Sequence, residues 1–365
     1  MAGSMSEEIR AVSEARGRRN IRVFSWPRRQ FSEAIRVDSK SGILMLALAI
    51  AFIALVSTGI GSVSISMNDV VKTMVRRSSD LPAYYSTIIW SVRLPRIAMA
   101  ILIGMMLSSS GTVVQAVFHN PLADPYIIGI SASAVAGAVT AFLLGLPTIF
   151  YGIFAFVVSV STTFLIFRLA MNGGQTRITS LLIIGVAVSA FLGAFTSFAM
   201  YAIGEDSYRI IVWTMGYLGG ASWLKIALLT VPLLASLIYF FYHRHELDAL
   251  MTGDEEAHSL GIDVGRLKKR LLLVSCLVVS FSVAFSGMIG FVGLIIPHTM
   301  RLVVGYSNTK LLGVTSLAGG LFLLLADTAA RTVLAPVEIP IGAVTAFFGA
   351  PVFIYLAIKQ NRAVM

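Results

Sequence analysis

Two sets of charged residues in this chain have types and spacings that could do chemistry. The first is Asp254, Glu255 and Glu256, three carboxylates in a row inside the polar stretch LDALMTGDEEAHSLGIDVGRLKKR, residues 247–270. The second is Arg93 with Arg96 in the sequence RLPR, together with Arg331. Planar guanidinium forks suit the carboxylates of a docking protein or an anionic cargo, and lipid phosphate is the other use for such side chains near a membrane end. The five histidines, His119, His243, His245, His258 and His298, are scattered, and interfacial anchoring is a commoner role than the weak chelation open to His243 and His245. The lone cysteine, Cys276, lies in an apolar run, which excludes a disulfide framework or a cysteine metal site and leaves core packing. No phosphate loop of the G-x-x-x-x-G-K-[ST] type, no G-x-G-x-x-G after a strand, no H-E-x-x-H and no G-x-S-x-G occurs. Nucleotide binding of a recognisable kind and hydrolytic chemistry are therefore not expected of this chain.

The elements that must position these groups are apolar. Of 365 residues, 57% are hydrophobic and only 13% charged, which describes a polytopic membrane protein. Hydropathy places spans of about 20 residues near 42–63, 95–118, 125–145, 147–170, 178–203, 222–242, 267–288, 291–305, 311–329 and 341–359. An even number of crossings puts both termini on one side. That side collects most of the 28 Lys and Arg residues, so it is expected to be cytoplasmic, and the net charge of +10 reflects topology rather than nucleic acid. Residues 1–41 form a separate basic tail in which Arg10, Arg16, Arg18, Arg19, Arg22, Arg28, Arg29, Arg36 and Lys40 alternate with Phe24, Trp26 and Phe31, a pattern for an anionic leaflet. The transmembrane domain is then 42–365.

Within residues 247–270, Leu247, Leu250 and Met251 share a helical face, Gly253 can end that turn, Asp254 can cap a second helix, and Gly261 can close it. Two short helices joined by glycine make a polar shelf at the inner surface. Two breaks interrupt the spans. Asn120-Pro-Leu-Ala-Asp-Pro125 forces a tight turn, and the glycine-rich stretch 287–298, closing on Pro297, reads as an interrupted or re-entrant helix. Gly104, Ser108, Ser109 and Gly111, with Gly129, Ser131, Ser133 and Gly137, are small residues that let helices approach in lipid. Nearly all charges sit at span ends. The nearest exception is Asp327 with Arg331, four apart, for which a local ion pair is the simplest reading. A chain without intramembrane carboxylates has no evident means of using an ion gradient. Energy is expected to enter through the shelf.

These stretches together resemble the permease subunits of type II ABC importers, the FecCD-type family, which moves ferric siderophores, haem, vitamin B12-like corrinoids and, in some members, molybdate. The resemblance is carried by RLPRIAMAILIGMMLSSSGTVVQAVFHNPLADPYIIGIS from Arg93, TSLLIIGVAVSA from Thr179, WTMGYLGGASW from Trp213, GDEEAHSLGIDV, SGMIGFVGLIIPHTMRL, and the C-terminal stretch from LLADTAARTVLAPVEIPIGAV onward. It implies an all-α polytopic membrane protein of about ten transmembrane helices, with the type II ABC importer permease fold. It also implies a multi-pass subunit of the cytoplasmic (inner) membrane that pairs with a second copy of itself. Two cytoplasmic ATPases that bind ATP and Mg would sit below, and a periplasmic or lipid-anchored binding protein above. The chain itself would hold no cofactor and no metal, and would be no enzyme. By resemblance, 246–263 becomes a coupling segment in which Asp254, Glu255, Glu256, Leu260 and Gly261 meet the ATPase. Arg93, Arg96 and Arg331 meet acidic residues of the binding protein, while Asn120, Leu122, Ile178 and Thr179 narrow a cytoplasmic gate. The cargo implied first is a ferric siderophore or haem, with a corrinoid or molybdate as alternatives. An ion-coupled secondary transporter is the reading of a different class.

Overall fold

A computed structural model describes residues 38–61, 63–76, 82–172, 175–176 and 178–362, all within one compact unit, Arg36–Met365. The basic tail lies outside the described residues except for its last four. Each expected span is met by a helix. In chain order these are α1 (Ser39–Gly59), α4 (Leu94–Val117), α5 (Ile130–Leu143), α6 (Ile149–Ala170), α7 (Ile178–Ile203), α9 (Trp223–Tyr242), α12 (Val264–Ser286), α13 (Val292–Val304), α14 (Asn308–Ala330) and α15 (Ile341–Arg362). Between them lie α2 (Met67–Arg76), α3 (Ala83–Thr87), α8 (Ser207–Thr214), α10 (Arg244–Leu250) and α11 (Asp254–Ser259). A two-residue antiparallel hairpin, Met171–Asn172 with Gln175–Thr176, links α6 to α7. Among the described residues, seven of the helical runs are long and apolar enough to cross a membrane. Three are shorter, α5, α13 and the apolar part of α15. At 13 residues, α13 is about 20 Å long, well under a hydrocarbon core of about 30 Å.

Helices α4, α12 and α14 form the interior, whereas α1 and α7 keep most of their apolar surface outward, as lipid-facing helices do. The small residues make the interior possible. A Cβ on Gly104 would stand 2.2 Å from the Gly319 carbonyl oxygen, and one on Gly111 would stand 1.9 Å from that of Gly293, so α4 lies backbone to backbone against α14 and α13. The serines beside them satisfy their own hydroxyls by donating one turn back, Ser108 to Gly104 O at 2.8 Å and Ser109 to Met105 O at 2.7 Å.

Three features depart from expectation. The second span does not begin at residue 95: helix runs from Ala83 through a π turn, Ile88–Arg93, into α4. Pro95 has no N–H to donate and crowds the preceding turn, and a π turn just upstream absorbs that misfit. The short α2 is capped by Ser66, whose hydroxyl accepts from Asp69 N at 3.2 Å while donating to the Asp69 carboxylate at 2.8 Å. The interruption after α12 occupies Gly287 to Phe291, both at φ 69°, and Pro297 lies inside α13 rather than closing the break. Backbone freed there finds partners: Ser286 O accepts from Tyr217 N at 2.8 Å, Ile289 O from the Tyr126 hydroxyl at 3.2 Å, and Leu294 O from Gln115 Nε2 at 2.9 Å.

Candidate functional site

The polar stretch folds as two short helices, and the way they are fastened decides which of its charges face outward. Leu247 and Leu250 of α10 and Ala257 of α11 are fully buried in the main core. The chain leaves α11 through a left-handed Gly261 at φ 83°, with Gly261 N donating to His258 O at 2.9 Å and Ile262 N to Ala257 O at 3.3 Å. That paired pattern is the Schellman ending, completed by Ile262 packing on the core that contains Ala257. Asp254 does not cap α11 as expected. Gly253 occupies the cap position, and the Asp254 carboxylate instead takes Lys268 of α12, Nζ to Oδ1 at 2.6 Å and to Oδ2 at 2.7 Å. A charged partner outweighs a neutral backbone cap. Glu255, Glu256 and Leu260 are exposed, Leu260 at 72%. The outward surface of the shelf therefore carries Glu255 and Glu256, with Asp254 still exposed beside its Lys268 partner, next to an exposed apolar side chain.

The turn after α4 is joined to this shelf. His119, at φ 49°, brings Nε2 to the Leu250 carbonyl and to 3.8 Å from Asp254 Oδ1. Asn120 Oδ1 accepts from Leu122 N at 2.9 Å, and Asp124 Oδ1 from Tyr126 N at 2.7 Å, capping the 3-10 turn Pro125–Ile128. Burial pushes the Asp124 carboxyl up to about 6. Of the four expected gate residues, Asn120 is exposed and Leu122 half-buried in this turn. Ile178 begins α7 with its side chain outside the described residues, and Thr179 is exposed. The described contact between turn and helix runs further along α7, where Gly185 faces the backbone of Ile127 and Ile128 and Ser189 faces Gly129.

At the other end of the bundle, the expected fixed positive charge is not displayed on the surface. Arg93, Arg96 and Arg331 are 5%, 6% and 5% exposed, respectively. The unpaired carbonyls at the end of α1 are one reason, since α1 has no basic residue in its own last turn. Arg331 donates to Ser57 O at 2.9 Å and Ile60 O at 3.1 Å, and Arg93 to Thr58 O at 2.6 Å and to Val63 O. The other reason is Asp327, which is 0% exposed. Its Oδ1 accepts from Arg96 Nε at 2.9 Å, and its Oδ2 lies 3.3 Å from Arg331 Nε, an ion contact too poorly aligned for a hydrogen bond. Arg96 Nη1 further donates to both Glu338 oxygens at 2.9 Å. The pair expected four residues apart is present and is half of a buried cluster joining α1, α4 and α14, with Arg96 as the further partner of Asp327. This carboxylate lies between two guanidinium groups.

Sequence reasoning missed Lys268, His119, Asp248 and Glu338, all polar residues whose partners are distant in the chain. Among the described residues no three His, Cys, Asp or Glu side chains converge as a metal site would require.

Comparison with known proteins places this arrangement. Residues 47–359 match the FecCD transport family. The chain is 42% identical over 279 residues to the cobalamin import system permease protein BtuC of Halobacterium salinarum, covering 76% of this chain and 74% of that one. It is 35% identical over 335 residues to the hemin transport system permease protein HmuU of Yersinia pestis, covering 90% and 98%. A solved metal-chelate type ABC transporter in an inward-facing conformation superposes with a TM-score of 0.78 at 32% identity, over 88% of this chain and 99% of that one. A bundle of short and long helices with a polar shelf at one end, matched over nearly its whole described length, makes this chain a member of the FecCD transport family, the membrane-spanning permeases of ABC importers with the type II fold.

Proposed function

We propose that this chain is the permease of an ATP-driven importer of a metal chelate, and that the shelf receives the work of a separate ATPase. The observation that carries this reading is the exposure of Glu255, Glu256 and Leu260 on helices whose other side is clamped into the core. A surface of exposed carboxylates beside one apolar side chain, fastened to the core, suits a docked soluble subunit. ATP and Mg belong to that subunit. A second copy of this chain would complete the cargo path, and a binding protein would deliver cargo at the opposite end. There a carboxylate reaching Arg96 must displace Glu338, whose side chain is 38% exposed. Cobalamin and haem, the cargoes in the names of the relatives, come ahead of a ferric siderophore as candidates.

The test is reconstitution in vesicles with an ATPase and a binding protein that co-purify with it, offering cobalamin, haem and a ferric siderophore in turn. Accumulation of one of them is expected only with ATP. Charge reversal by Glu255→Lys with Glu256→Lys should leave ATP hydrolysis running without uptake. Uptake by this chain alone, driven by a proton or sodium gradient, would replace this reading with a secondary carrier.

A further inference from the structure

The N-terminus of α14 is capped from outside its own segment. Ser307 holds the cap position, yet its hydroxyl accepts nothing from the helix; it donates to Asp248 Oδ2 at 2.8 Å. The Asp248 carboxylate performs the capping in its place, accepting from Asn308 N, from Thr309 N at 3.4 Å and from the Thr309 hydroxyl at 2.9 Å. Asp248 belongs to α10, where it lies in the last turn. A carboxylate there opposes the dipole of its own helix and favours the dipole of the helix it caps. Its position makes physical sense as a joint between the two.

Helix α14 is suited to carry movement away from that joint. It runs 23 residues without proline, about 34 Å. It is held against α4 by the Gly104–Gly319 approach and by a hydroxyl pair, Thr112 to Thr315 at 2.9 Å. Its far end carries Asp327 and Thr328, and Arg331 follows directly. Through them it holds Arg96 of α4 and Ser57 of α1. One unbroken helix thus has its first turn fixed to the shelf and its last turn fixed to the buried arginine cluster.

We propose that Asp248 is the positioning residue that passes displacement of the shelf to α14, and that α14 moves as a strut to shift the arginine cluster at the other end of the bundle. This rests on the shelf being the ATPase contact. The experiment uses the complex of this chain with its ATPase, in a Cys276→Ser background, with a nitroxide on Val333→Cys, an exposed position just beyond α14. Trapping with MgATP and vanadate is expected to change the mobility of this label. Asp248→Ala should reduce the responding fraction roughly five-fold or more, the scale of a lost coupling contact. Asp248→Asn, which keeps an acceptor oxygen, should recover part of the response, and Ser307→Ala should give a smaller loss. A merely structural role would lower the amount of folded complex but leave the response per folded molecule unchanged. A full response in folded Asp248→Ala, or no response at Val333 with the native Asp248, overturns the strut. If Asp248→Ala does not fold, Asp248→Asn and Ser307→Ala are read by the same criterion. Loss of the response in Glu255→Lys with Glu256→Lys but not in the Asp248 variants would retain the shelf and reject the strut. A full response in the double glutamate variant would reject the shelf itself.

Discussion

Arg96 binds two carboxylates that differ mainly in burial, and this makes the energetics of the arginine cluster testable. Asp327 is 0% exposed and Glu338 is 38% exposed, each 2.9 Å from the same guanidinium. Removing the buried partner leaves charge in a low-dielectric interior, a loss of about 3–5 kcal/mol for a fully stripped ion pair. Arg331 keeps its bonds to Ser57 O and Ile60 O, and Arg96 keeps Glu338, so Asp327→Asn belongs at the lower end, about 3 kcal/mol. Glu338→Gln removes a screened pair worth about 0–1 kcal/mol. With an unfolding entropy of about 2.1 cal/mol/K per residue, these become a fall in Tm of about 4 °C for Asp327→Asn and about 1 °C or less for Glu338→Gln. Cys276, the chain's one thiol, is buried, so a thiol-reactive fluorophore reports unfolding in detergent without engineering. Equal shifts for the two variants, or a shift for Asp327→Asn within about 1 °C of zero, would refute the claim that burial sets the strength of these contacts.

Three other outcomes are expected. Gly111→Val should cost about 2 kcal/mol or more, read by the same fluorophore, because even the first added carbon meets the Gly293 carbonyl at 1.9 Å. For Asp124, burial raises the folded carboxyl to about 6 from 3.8, so the folded chain holds this proton more tightly than the unfolded one. Its contribution is therefore most favourable below 3.8 and is lost as pH rises through about 6. Asp124→Asn should accordingly gain on wild type across that window in a series of melts; parallel curves would count against burial of the charge. Reversal of Arg93 with Arg331 should lower the melting temperature, because both side chains are buried and hold the carbonyls at the end of α1; an unchanged melt would remove that role.

The long helices are legible because hydropathy over about 20 residues is a local property. The short α5 and α13 are legible because glycine and proline mark their ends. Pro297 misleads about the second break, which ends earlier: a left-handed Gly287 and Phe291 stop the chain, and the proline is accommodated within α13. The amphipathic α2 escapes a hydropathy window, which has no sensitivity to ten half-polar residues, although Ser66 with Asp69 carries its start signal.

What stays hidden is non-local polar pairing, and its residues nevertheless leave traces. Asp327 lies within an apolar helix, and such a carboxylate requires a cation. Arg331 is one turn away but is also claimed by the carbonyls of α1, so a second cation is needed, and RLPR supplies it at the matching end of another span. Asp248 is acidic in the last turn of its helix, where the dipole opposes it. Asp254 passes over an available cap to meet Lys268. In each case the local rule is broken by a charge, and the violation itself shows that a partner stands elsewhere in the fold.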